Sequence, residues 1–267
     1  MKKLYILSLV LIASIFLSVS FVAADSLVVK KATLPSSTKH LGCAEDSSTN
    51  KIYCFGGENP FTNKIVEYDY STDKIITKSA NIPTVAYAVS CAENSATNKI
   101  YCFGGYTSNN NRLNKIVEYD PSKDVLIEKK ATLPGGRGGA ACAEDSSTNK
   151  IYCFGGGGYD QILEYDSAKD TITIKQAKLP ALRQNFDCAE NSRTHKIYCF
   201  GGEVETDQIL EYDPAKDNLI IRKAVLPLSN HRLDCAENPW TNKFYCFGGE
   251  RSKNYLDLII EFDPKND

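Results

Sequence analysis

The chain has 267 residues, of which 31 are basic and 33 acidic, for a formal net charge of −2. That balance excludes the electrostatic footprint of a nucleic-acid binder, and 42% apolar with 24% charged residues excludes a disordered chain. Fifteen Tyr and 17 Gly lean towards strands and turns, while 10 Cys call for an oxidising compartment or several metals.

Lys2 and Lys3 precede an apolar run over residues 4–22 that ends in Val22-Ala23-Ala24, just before Asp25. A basic start, an apolar middle and small residues before a polar one predict a signal peptide at 1–24, cut after Ala24. The alternative is an uncleaved anchor, because the run approaches spanning length. A strand-like segment, Leu27-Val28-Val29-Lys30-Lys31, follows almost at once and would leave such an anchor little tether. Residues 25–267 are therefore expected to be secreted and extracellular, with membrane association only if the N-terminal segment is retained.

The string Ile-Tyr-Cys-Phe-Gly-Gly then occurs at 52–57, 100–105, 151–156 and 197–202, with a Phe-for-Ile copy at 244–249. Each copy follows Cys-Ala-Glu-Asp/Asn and a short polar turn, and precedes an apolar pair with Glu-Tyr/Phe-Asp. Five repeats result, at about 36–79, 80–130, 131–176, 177–223 and 224–267. Each reads as four short strands, A to D. For the first repeat these are A ending near Ala44-Glu45, B at 51–55, C at about 64–68 and D at about 74–78. Asn at the A–B turn tolerates positive φ, and Asp-Pro suits the C–D reversal. Units this small cannot bury both faces alone. Packed radially they form an all-β propeller.

The diglycine after an aromatic strand, with the following Tyr-Asp-Pro, resembles the kelch repeat over residues 27–267. The resemblance implies a five-bladed kelch-type β-propeller of four-stranded antiparallel blades. The outer-strand tryptophan common in the family is replaced by aliphatics such as Ile75-Ile76 and Leu219-Ile220-Ile221. Six or seven blades are more usual for it than five. The chain stops at the C–D turn of the fifth repeat, whereas residues 27–35 match the D segments ending at Pro134 and Pro227. The N-terminal strand is thus expected to complete the last blade and close the ring.

The cysteines fall into pairs 11 residues apart: Cys43 with Cys54, Cys91 with Cys102, Cys142 with Cys153, Cys188 with Cys199 and Cys235 with Cys246. An A–B hairpin places each pair directly opposite, within disulfide reach. Five intrablade bridges are predicted. A metal centre would need further ligands near each pair, and only His40, His195 and His231 exist. No metal and no cofactor are expected. The Glu-Tyr-Asp-x-x-x-Asp series reads as turn chemistry rather than calcium sites, and His195 likewise as a turn residue.

Length variation is confined to one place. From each D-strand proline to the next cysteine is eight residues, whereas the B–C loops number 7, 10, 5, 6 and 9. B–C loops and D–A crossovers emerge on the same face, which reads as a binding surface on a fixed scaffold. Candidate ligand residues there are His40, Tyr87, Tyr106, Arg112, Arg137, Tyr159, Arg183, Asn185, His231, Arg232 and Tyr255. Phe61, Glu203 and Glu250 lie on the same loops. Arg137 and Arg183 match an arginine frequent in the family, which the resemblance places at the mouth of the central channel. Aromatics beside Arg, Asn and carboxylates suit a glycan or a protein ligand. The expected function is a monomeric extracellular binding module with no assigned catalytic residue. The alternative is a kelch-type enzyme acting on carbohydrate, isomerase- or mutarotase-like, recruiting His40, Arg183, His231, Arg232, Glu203 and Glu250. Copper radical oxidase chemistry is disfavoured, since it needs an unpaired cysteine.

Overall fold

The A–B hairpin sets the geometry of every repeat in the computed structural model, which describes residues 30–203, 207–251 and 254–266. In blade 1, Gly42–Asp46 (A) pairs with Lys51–Phe55 (B), and the four residues between them turn on Asn50, at φ 55°. The Asp46 carboxylate accepts the Ser48 N–H and the Thr49 hydroxyl, satisfying turn donors that no ladder reaches. Lys64–Asp69 (C) and Lys74–Asn81 (D) complete the sheet.

Blade 2 has Ser90–Asn94, Lys99–Phe103, Ile116–Asp120 and Val125–Glu128. Blade 3 has Ala141–Asp145, Lys150–Phe154, Gln161–Asp166 and Thr171–Lys178. Blade 4 has Asp187–Asn191, Lys196–Phe200, Gln208–Asp213 and Asn218–Val225. Blade 5 has three strands among the described residues, Asp234–Asn238, Lys243–Phe247 and Ile259–Phe262. The protein is an all-β, five-bladed propeller of antiparallel sheets with A strands innermost. Strands run a little longer than their sequence pattern predicts, C to Asp69 and D to Asn81 in blade 1.

All five cysteine pairs are bridged, Cys43–Cys54, Cys91–Cys102, Cys142–Cys153, Cys188–Cys199 and Cys235–Cys246, each in direct register with Cα atoms 4.1 Å apart. The sequence gives these ten residues equal standing, but depth separates them. The strand-B partners Cys153, Cys199 and Cys246 are only 2%, 1% and 2% exposed, packed in the apolar clusters between blades. Cys153 and Cys246 are thus core residues that no ligand can reach, and their role is structural. Cys43 and Cys91, on strand A, instead line the central channel.

Inside the sheets of blades 1 to 4 a strand-C glutamate is buried between two cations, whereas Glu261 of blade 5 is exposed and pairs with Lys243. Glu67 accepts from Lys51 at 2.6 Å, Lys78 at 2.8 Å and the Tyr53 hydroxyl at 3.1 Å. Burial opposes its ionisation, but the two lysines still hold Glu67 below the usual carboxylate range. Glu118, Glu164 and Glu211 repeat the arrangement in blades 2 to 4.

Blades are joined by two repeated clasps and an aromatic pair. The Ser47 N–H and hydroxyl donate to Glu93 of the next blade at 3.0 Å; Ser95 with Glu144, Ser146 with Glu190 and Ser192 with Glu237 follow. On the outside, the Ser79, Lys130 and Gln176 N–H groups donate to Asp124, Asp170 and Asp217, each at 2.9 Å. Tyr53 packs on Tyr119, Tyr101 on Tyr165 and Tyr152 on Tyr212 at 5.4–5.5 Å. The second Asp of the Glu-Tyr-Asp-x-x-x-Asp series is therefore an interblade clasp as well as a left-handed turn residue.

Four buried clusters fill the seams between consecutive blades. The seam between blades 5 and 1 differs. Phe247 and Ile259 are 49% and 68% exposed, whereas Phe55 and Ile65 at the same positions are fully buried. Pro239 replaces the clasp serine there and has no N–H to donate. The signal segment at 1–24 and residues 27–29 of the expected closing strand lie outside the described residues. Just after them, the described Lys31 N–H donates to Asp73 at 2.9 Å, in the register of the other outer clasps.

Candidate ligand-binding face

Each crossover enters strand A through a left-handed residue three positions before the cysteine. These are His40, Ala88, Gly139, Asn185 and Arg232, at φ 49–66°. Their backbones form a chain around the channel mouth. Ala88 N–H donates to His40 C=O at 2.8 Å, Gly139 to Ala88 at 3.0 Å, Asn185 to Gly139 at 2.8 Å and Arg232 to Asn185 at 2.8 Å. Gly and Asn adopt this conformation cheaply, while His, Ala and Arg are held in it by the surrounding hydrogen bonds. A central cavity of about 370 Å³ opens below, lined by residues of all five blades.

The residue after each diglycine meets the crossover beside it, and its identity divides the face into sectors. In blade 1, Glu58 lies 2.7 Å from His40 Nδ1 and 3.2 Å from Lys39 Nζ. In blade 4, Glu203 accepts from Gln184 and Asn185, both at 2.6 Å. In blade 5, Glu250 pairs with Arg232, with His231 at 3.9 Å. Three sectors are thus charged. Blade 3 has bare glycine, Gly157 N–H donating to Gly138 C=O at 3.0 Å.

Blade 2 is aromatic. Ala86–Tyr87 of the crossover pairs with Tyr106–Thr107 of the B–C loop, setting Tyr87 opposite Tyr106. Their rings stack at 5.4 Å and 24°. Phe61 lies 5.7 Å from Tyr87 on one side, and the His40 ring stacks 6.1 Å away. Tyr106 crosses Gly138, where a Cβ would lie 2.0 Å from the ring, and its hydroxyl donates to Gln184 at 3.3 Å. Four aromatic rings therefore form a continuous strip beside the mouth.

Burial holds His40 below its usual pKa, Glu58 opposing and the nearby Arg232 charge adding to the effect. Deeper in the cavity, Asp187 and Asp234 begin the A strands of blades 4 and 5. Crowding by the channel wall pushes the half-buried Asp187 up to about 7, with Asp234 adding to the rise, and raises Asp234 too, although that side chain is open to solvent.

Seven of the eleven candidate residues come together around the mouth: His40, Tyr87, Tyr106, Asn185, His231 and Arg232, with the exposed Arg112 bridged to Tyr106. Tyr255 stands out on the blade 5 loop, 84% exposed. Arg137 and Arg183 are placed differently from expectation, each 1% exposed. Arg137 donates to Gly155 C=O at 2.6 Å and to Gln161, beneath the Tyr159 ring at 4.2 Å. Burial lowers its pKa to about 10. Arg183 donates to Gln208 at 2.9 Å. Both brace crossover against B–C loop from within, and Tyr159 belongs with Arg137. Glu58 is the one residue of this group that the loop pattern does not single out. The signal was Glu after the diglycine in three of five repeats.

None of the curated proteins compared with the chain matches it. The family description that does match, over residues 42–218, is the KLHDC2/KLHL20/DRC7 Kelch-repeats domain. That span runs from strand A of blade 1 to the start of strand D in blade 4. Repeat, sheet order and family match agree: the chain belongs to the kelch-repeat family.

Proposed function

We propose that the protein is a secreted binding module that takes a glycan on the face formed by the D–A crossovers and B–C loops. The observation that carries this reading is the strip Phe61–Tyr87–Tyr106 beside His40, Glu58 and Arg232. Aromatic faces stack on the apolar faces of sugar rings, and flanking carboxylates and cations hydrogen-bond hydroxyls. Five disulfides support an oxidising compartment. No helix among the described residues is long and apolar enough to cross a membrane. The test is a glycan array followed by calorimetry on the best hit, with Tyr87→Ala as comparison. Binding by the parent and loss of at least about tenfold in the variant supports the reading. A peptide or protein hit with no glycan hit overturns it in favour of a protein ligand.

A second reading, an enzyme acting on carbohydrate, is favoured by one observation. Asp187 and Asp234 share the cavity, and a carboxyl near pKa 7 suits proton transfer at neutral pH. Sugar isomerisation or mutarotation by the parent, abolished in Asp187→Asn, is the result that would establish it.

A further inference from the structure

The five A–B turns on the opposite face are near copies, so a departure in one of them is informative. Each ends on a left-handed residue at φ 52–57°: Asn50, Asn98, Asn149, His195 and Asn242. Asn is suited to that conformation, and only blade 4 has His. The clasp beside it brings a glutamate, Glu190, and the turn of the preceding blade brings Asp145. At the other seams the same three positions hold Asp46, Glu93 and Asn98; Asn94, Glu144 and Asn149; or Asn191, Glu237 and Asn242. Two carboxylates and an imidazole therefore meet at one seam only among these four.

The three donor atoms lie within 4.8 Å of one another. His195 Nδ1 is 2.9 Å from Glu190 Oε1. Ser146 Oγ is 2.9 Å from the same oxygen and 3.3 Å from Nδ1. Asp145 is buried and oriented by the Ser147 N–H and hydroxyl and the Thr148 hydroxyl. Glu190 is oriented by the Ser146 N–H at 3.0 Å. The carboxylates are thus positioned by partners that occupy only part of their lone-pair capacity. His195 is on a rigid turn and partly open to solvent, so an ion has a way in.

We propose that Asp145, Glu190 and His195 bind one divalent transition-metal ion of the zinc type at the seam between blades 3 and 4. An imidazole with two carboxylates is a zinc-type donor set, with a fourth position left for water or Ser146 Oγ. Ligands drawn from two blades make the ion a cross-link between them. Binding there stabilises the folded ring by mass action.

The repeat supplies both controls. The test is calorimetry with Zn²⁺ on the chelator-treated protein, with metal content measured after dialysis. The parent is expected to bind one Zn²⁺ per chain and to melt at a higher temperature with it. His195→Asn restores the turn residue of the other blades, so it should fold normally and lose stoichiometric binding and the thermal shift. Asn98→His builds the same set from Asp46 and Glu93 at the first seam, and should raise the stoichiometry to two. Absence of binding in the parent, or unchanged binding in a folded His195→Asn, overturns the proposal. A folded Asn98→His that still binds one ion overturns the claim that these three side chains suffice.

Discussion

Tyr87 and Tyr106 belong to different connections, a crossover and a B–C loop, yet stand directly opposite in a two-residue antiparallel ladder with rings 5.4 Å apart. Two backbone elements thus hold one stacked pair, and the strip is rigid before any ligand arrives. Pre-ordered aromatic rings lose little entropy on binding.

Replacing Tyr106 with Ala should weaken glycan binding by at least about tenfold, the equivalent of about 1.4 kcal/mol. Both rings are only partly buried, so the melting temperature should move little. Calorimetry and a thermal melt on the same sample separate the two effects.

Arg183→Ala should act in the opposite way. Its side chain is 1% exposed and braces a B–C loop, so truncation leaves a cavity and the Gln208 carbonyl without this donor. A loss of about 2–4 kcal/mol in denaturant unfolding is expected. Arg232→Ala, at the exposed mouth, should cost far less stability and more ligand affinity. Equal stability losses in the two variants would contradict this assignment.

The clasp carboxyl Glu144 should make stability fall with rising pH. Burial pushes it up to about 7, against the Ser95 donors, with Glu190 and Glu93 adding to the rise. Its folded value thus exceeds its unfolded one, so the folded state holds the extra proton between roughly pH 4.5 and 7. The stabilising effect is complete below that window and lost above it. Glu144→Gln keeps an acceptor for Ser95 and removes the charge. The melting temperature of Glu144→Gln relative to the parent should therefore rise between pH 4 and pH 8.

Unreduced digests should link each cysteine to its partner 11 residues away. Removing the buried Cys188–Cys199 bridge by paired Ala substitution should cost no more than about 3 kcal/mol, because the closed loop is short. Free thiols or links between blades in the parent would contradict the pairing.

Hairpin, disulfide and turn were legible from sequence because their partners lie within about a dozen residues and recur five times. Asp46↔Lys51 and Cys43↔Cys54 follow from strand alternation and the turn alone. Pairing was legible, but depth was not: that Cys153 and Cys246 are sealed in the core depends on the neighbouring blade. The propeller followed as well, since radial packing of repeated small sheets buries both faces of each. The face carrying the candidate site was legible from loop lengths, but its organisation was not. Whether an arginine points outward or inward depends on which loop lies over it. Arg137 turned inward beneath Tyr159, while Arg232 reached Glu250 at the mouth.

Tertiary structure decided everything that joins one blade to the next. Ser47 with Glu93, Ser79 with Asp124, and Asp145 with Glu190 and His195 are 45 to 50 residues apart. No local periodicity pairs them, and each residue type has an ordinary role in its own turn. Only when the sheets pack do these polar groups lose water and need each other, because a buried donor or acceptor without a partner costs about 1–3 kcal/mol. The repeat determined which residues stand at each seam. Packing determined what they do there.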